Sequence, residues 1–157
     1  GGFEAGHAVW VEQGVQVIAS TSEPNLPVPP YGGTWLAWLA GRNSASDILY
    51  QNFFVPGGAT GGRLRYALWV ASNEPGGRSD VLTIQLRTDG GGLIQELDVI
   101  DNTFSPKNQW VIREINLIDL SPWQGQAVQL RVSATSDSSY ITSFYLDDVS
   151  VLVQGPY

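Results

Sequence analysis

The sequence predicts an all-β domain, an antiparallel sandwich of two sheets, and three observations carry that prediction. About nine runs of roughly five to ten residues are apolar throughout or alternate apolar and polar side chains at the two-residue period of a pleated strand. Clusters of Gly, Pro, Asn, Asp and Ser separate these runs, and such residues favour turns for backbone reasons. No segment keeps a helical period beyond two turns. At 157 residues the chain suits one domain, 1–157, large enough to bury a core without disulfides.

Taken in order, Ala8 to Gln13 alternates as a first strand, and Gly14 turns the chain into Val15 to Ala19. Four prolines and two glycines between Ser20 and Gly33 exclude a helix or a central strand there, which predicts a long surface loop. Thr34 to Ala40 is apolar on both faces, with Trp35 and Trp38 expected in the core, and Ile48 to Val55 is a second such run ended by Pro56-Gly57-Gly58. Leu64, Tyr66, Leu68 and Val70 alternate with Arg65, Ala67 and Trp69, and Ser79 to Thr88 repeats the pattern after the turn Asn73-Glu74-Pro75-Gly76-Gly77. Leu93 to Ile100, Trp110 to Leu117 and Ala127 to Ala134 follow as strands. Internal repeats are absent at any period of about 20 to 50 residues.

The closing strand changes register at a pair of acids. Phe144 and Leu146 share one face, whereas Val149, Val151 and Val153 share the other. One extra residue at Asp147-Asp148, a β-bulge, brings all five to the same core. It also turns a carboxylate toward the edge of that core, where a bare charge costs several kcal/mol unless neutralised. Calcium is the expected partner, because it takes hard oxygen ligands and the chain has no cysteine and one histidine, His7.

Composition narrows function further. A formal charge of -7 disfavours nucleic acid and anionic lipid as partners, and the longest apolar run, Trp35 to Ala40, is too short for membrane insertion. Absent cysteine removes thiol catalysis and thiolate zinc sites, and a single histidine removes any triad or His-rich zinc site. Acids fall mainly at turns, as in Asp80, Asp89, Asp101, Asp119 and Asp137, where Asp serves the backbone, so no catalytic pair of a glycosidase is expected. Charged residues are only 15%, against about 25% in an average domain, which suits a secreted β-protein. The absence of methionine predicts a piece of a longer secreted protein.

Gly2-Phe3-Glu4, Trp35-Leu36-Ala37-Trp38-Leu39, Asp119-Leu120-Ser121-Pro122-Trp123-Gln124-Gly125 and Phe144-Tyr145-Leu146-Asp147-Asp148-Val149 together resemble the jelly-roll modules of the galactose-binding-like superfold. That superfold includes carbohydrate-binding modules, MAM-like domains and accessory domains of secreted bacterial peptidases and surface proteins. The resemblance spans the chain and implies a jelly-roll topology with Glu4 and Asp147 sharing a structural calcium, backbone carbonyls of an early loop completing the shell. In a jelly roll the first and last strands are expected to lie close, so the two carboxylates would repel without a cation between them. The sequence departs from many relatives at Gly2, where Asn or Asp often precedes the Phe.

Aromatic faces bind pyranose rings by dispersion and CH contacts, and six tryptophans invite that reading. Trp69 lies out of phase with Leu68 and Val70 and is expected on the outer face, while Tyr31 and Trp123 lie in loops, so these three are the candidate ligand contacts. Arg65, Arg87, Arg113 and Arg131 take the polar parity of their strands and are expected on solvated faces, with Glu114 or Glu96 as neighbours. The expected function is a non-catalytic accessory module, extracellular or at the cell surface, whose partner is a carbohydrate or a neighbouring domain of the same polypeptide. The alternative is a purely structural domain attached to a secreted peptidase, with no separate ligand.

Overall fold

The computed structural model describes residues 3–13, 17–22 and 26–155; Gly2 and the turn at Gly14-Val15 lie outside them. Among the described residues there are ten strands rather than about nine: β1 (Val11–Gln13), β2 (Ile18–Ser20), β3 (Trp35–Ala40), β4 (Ser46–Phe54), β5 (Gly61–Ser72), β6 (Val81–Thr88), β7 (Leu93–Asp101), β8 (Val111–Leu117), β9 (Ala127–Thr135) and β10 (Thr142–Gln154). Two five-stranded antiparallel sheets form, one ordered β1-β4-β9-β6-β7 and the other β2-β3-β10-β5-β8. The inward side chains are those the alternation singles out, among them Leu64, Tyr66, Leu68 and Val70 of β5 and Val128, Leu130, Val132 and Ala134 of β9.

The predicted bulge is present in β10. Asp147 pairs with Ala67 and Ser150 with Arg65, so three steps on β10 match two on β5. Asp148 adopts φ 52°, a left-handed conformation that costs an L-residue about 1–2 kcal/mol, least for Asp and Asn. In return Val149 stays buried and Val151 and Val153 pack against the core beside Phe144 and Leu146. Each fully buried valine is worth about 1.5 kcal/mol or more, so the bulge wins.

Other expectations change. β1 pairs with β4 and lies in the opposite sheet from β10, so the first and last strands are not neighbours. The chain from Ser20 to Gly33 is not only a surface loop: Ser20 ends β2, and Val28 is buried. Val28, Leu36 and Tyr145 form a second apolar cluster on the outer face of the second sheet, with Leu26, Trp38, Trp69, Ala71 and Trp110 against it. Trp35 and Trp38 are consequently half-buried, Trp35 against the main core and Trp38 on the outer face. Arg113 does not line a solvated face either. Its guanidinium reaches from β8 to Asp98 of β7 at 2.9 and 3.0 Å, and Tyr66 of β5 donates to the same carboxylate at 2.7 Å, which ties the two sheets together.

Candidate functional site

Glu4 and Asp147 meet through the loop before β3. Both oxygens of Glu4 accept from the Thr34 amide, at 3.0 and 3.1 Å, and Oε1 also accepts from the Trp35 amide at 3.1 Å. Asp147 accepts from the Gly32 amide at 3.0 Å through Oδ2 and from the Asp148 amide at 2.7 Å through Oδ1. Gly33 lies between, with φ 62°, and a Cβ there would sit 2.3 Å from the Glu4 carboxylate. Only glycine allows the loop to pass this close.

The two acids shift in opposite directions. Asp147 is 2% exposed, and burial pushes its carboxyl above the ordinary range, the Glu4 charge adding to the rise against the pull of the backbone donors. Glu4 moves the other way, held low chiefly by the Thr34 amide. Neither acid is ion-paired to Lys, Arg or His among the described residues. Two carboxylates thus face one loop without a basic partner, and that loop presents amide donors to both. Asp148, by contrast, is exposed and 3.6 Å from Arg65.

Two of the candidate aromatics converge. Trp69 emerges on the outer face of the second sheet, with Trp110 edge-on at 5.7 Å, and Tyr31 stands edge-on to Trp110 at 6.0 Å. The Trp110 indole donates to the Pro29 carbonyl at 3.1 Å, fastening the loop over this patch. Tyr31 is 44% exposed, whereas Trp69 is half-buried and its Nε1 has no partner. Trp123 is elsewhere, in the short turn Ser121–Trp123 between β8 and β9, against the main core. His7 sits 2.5 Å from Glu12.

The outer face of the first sheet has a different character. Tyr50, Arg131, Gln85 and Glu96 stand side by side across β4, β9, β6 and β7, and Asn52, Gln129 and Arg87 form the next row. Arg131 lies 5.8 Å over the Tyr50 ring and donates to Gln129 at 2.8 Å. Gln129 donates to Asn52 at 3.3 Å, and Arg87 donates to Gln85 at 2.8 Å. Two of these bonds run along a strand, within β9 and within β6, and the third crosses from β9 to β4, so planar amides and guanidiniums are fixed in both directions of the sheet. Sequence reading placed Arg87 and Arg131 on polar parity but did not see this array, because pairing across strands is invisible in the alternation of one strand. A cleft of 180 Å³ between the sheets, beside Trp10, Phe53, Leu130, Val149 and Val151, has only Gln51 as a polar side chain.

One acidic group escaped sequence reading altogether. Glu74, Asp80 and Asp137 each offer a carboxylate oxygen within 4.8 Å of the others and could hold a metal. Asp80 and Asp137 read as turn residues, and only the pairing of Val81 with Thr135 brings their loops together.

Neither a protein-family model nor a curated protein matches this sequence. Solved structures do. A family 61 carbohydrate-binding module, TmCBM61, in complex with β-1,4-galactotriose superposes with a TM-score of 0.67 at 16% identity over 98% of this chain and 94% of that one. The K3 cleaved adhesin domain of Lys-gingipain from Porphyromonas gingivalis W83 gives 0.60 at 16% identity, covering 96% of each chain. The C-terminal family 22 carbohydrate-binding module of Clostridium thermocellum Xyn10B gives 0.56 at 19% identity over 99% of this chain and 92% of that one. At such identities the likeness is one of fold, and the chain has the β-sandwich jelly-roll fold of carbohydrate-binding modules and adhesin domains.

Proposed function

We propose that this domain is a non-catalytic carbohydrate-binding module of an extracellular or cell-surface protein, with a structural calcium held by Glu4 and Asp147. The observation that carries the reading is the ordered polar array on the first sheet, Tyr50 with Arg131, Gln129, Asn52, Gln85 and Arg87. Sugar hydroxyls need donors and acceptors in fixed positions, and planar side chains tied to one another lose little freedom on binding. The Tyr50 ring supplies an apolar surface within the same array. The second sheet has its outer face covered by the loop carrying Val28, and the inter-sheet cleft offers Gln51 but no comparable row of polar side chains.

A second reading rests on Tyr31. Its exposed ring, propped by Trp110 and Trp69, offers a stacking surface beside the Glu4–Asp147 clamp. Calcium, when bound there, would neutralise the two carboxylates and so favour the conformation of residues 31–34 that presents Tyr31. Trp123, packed against the main core, has no such neighbours.

A glycan array with neutral and uronic-acid oligosaccharides tests the proposal, followed by titration of variants. Tyr50→Ala and Arg131→Ala are expected to weaken binding by more than about tenfold, the loss of a central contact, with little change in melting temperature. Loss of binding in Tyr31→Ala or Trp69→Ala, with Arg131→Ala unaffected, would move the ligand to the second sheet. Silence toward every sugar would sink the binding reading and favour a purely structural domain attached to a secreted peptidase.

A further inference from the structure

We propose that Glu74, Asp80 and Asp137 form a cation site for calcium, distinct from the pair at Glu4 and Asp147. Glu74 lies in the connection from β5 to β6, Asp80 directly before β6, and Asp137 in the connection from β9 to β10. The framework around them is built. Asn102 accepts from the amides of Ser79 and Asp80 at 2.9 and 3.0 Å and donates to the Gly77 carbonyl at 3.0 Å. Asp80 Oδ1 accepts from the Asp137 amide at 2.9 Å, which locks one loop against the other.

What points to a ligand is an orphaned atom inside that framework. Asp80 is fully buried, and its Oδ2 has no hydrogen-bond partner. Glu74 Oε2 and Ser79 Oγ are also buried without a partner, so every such oxygen among the described residues falls between positions 74 and 80. No basic side chain is ion-paired to any of the three acids among the described residues. A buried carboxylate oxygen with neither donor nor counter-charge is strongly unfavourable, and native proteins satisfy it. A hard cation held between the three acids supplies the missing counter-charge.

The spacing admits calcium. Atoms that ligate one ion lie no farther apart than twice the metal–oxygen distance, about 4.6–5.2 Å for calcium and about 4.0–4.2 Å for magnesium. The three carboxylate oxygens lie within 4.8 Å of one another, inside the span that calcium allows with the side chains where they stand. The all-oxygen donor set disfavours zinc and copper. Glu74 and Asp137 are only half-buried, which leaves an entry path from solvent. An ion here would pin the β5–β6 connection to the β9–β10 connection.

The test is calorimetric titration of chelated protein with calcium chloride, for wild type, Glu74→Gln, Glu74→Gln with Asp137→Asn, and Glu4→Gln with Asp147→Asn. Both half-buried acids can change without emptying the core, so these variants are expected to fold. Expected is one calcium fewer per chain, or affinity weaker by more than about tenfold, in the Glu74 variants, while the Glu4–Asp147 variant keeps that ion. Wild-type stoichiometry and affinity in the Glu74→Gln, Asp137→Asn protein would overturn the proposal, as would a wild type that binds no calcium. Should the Glu4–Asp147 variant alone lose an ion, the first site stands and this one falls.

Discussion

At the scale of single residues, burial and partnership decide what each charge does. Asp147 and Asp98 are both buried carboxylates, yet Asp98 has Arg113 and Tyr66 on its two oxygens, while Asp147 has only backbone amides and the repulsion of Glu4. Asp98→Ala would strand the Arg113 guanidinium at the sheet interface, at a cost of about 3 kcal/mol; Tyr66→Phe loses one bond to a charged acceptor, about 1.5 kcal/mol. Urea midpoints read both, and equal effects would deny Arg113 its structural part. For Asp147 the sign is set by its raised carboxyl pKa. Its protonated form is favoured by folding, so the stability it contributes is full below the unfolded value of about 3.9 and is lost as pH rises through the folded value. In chelator, the stability gap between wild type and Asp147→Asn should therefore shift in favour of the variant as pH rises from about 4 to 7. Calcium should abolish the trend, and a gap independent of pH in chelator would contradict it.

At the scale of elements, the β10 bulge is a register device. Asp148 alone absorbs the positive φ, so Asp148→Gly should be neutral or stabilising by up to about 1 kcal/mol, its exposed pair with Arg65 being worth little. Asp148→Val should cost about 1–2 kcal/mol. Deleting Asp148 is a harsher change, since it turns Val149, Val151 and Val153 toward solvent or forces β10 out of register with β5. Chemical denaturation of the three variants would expose the contrast; a deletion no worse than the valine would mean the register can slip. The bulge was legible in the sequence, because its cause is a parity change within one strand. The polar array was not, because the alignment of Tyr50, Arg131 and Gln85 depends on which strands neighbour each other.

At the scale of the whole molecule, ions bound only by the folded state stabilise it by mass action. Calcium at about 100 times its dissociation constant adds about 2.7 kcal/mol, which for a domain of this size is about 5–10 °C in melting temperature. Chelator should remove that increment by scanning calorimetry. Glu4→Gln with Asp147→Asn should erase the share belonging to the first site, and no change on chelation would count against structural calcium altogether.

The sequence by itself determined the sandwich, the inward faces of its strands and the bulge, since alternation and turn chemistry act over a few neighbouring residues. Tertiary structure alone decided that the outer tryptophans lie under a loop, that Arg113 bridges sheets, and that Glu74, Asp80 and Asp137 meet. Those outcomes depend on strand order and on loops from distant parts of the chain folding against one another. A linear pattern carries no record of either, because the free energy that selects them arises only when the sheets pack.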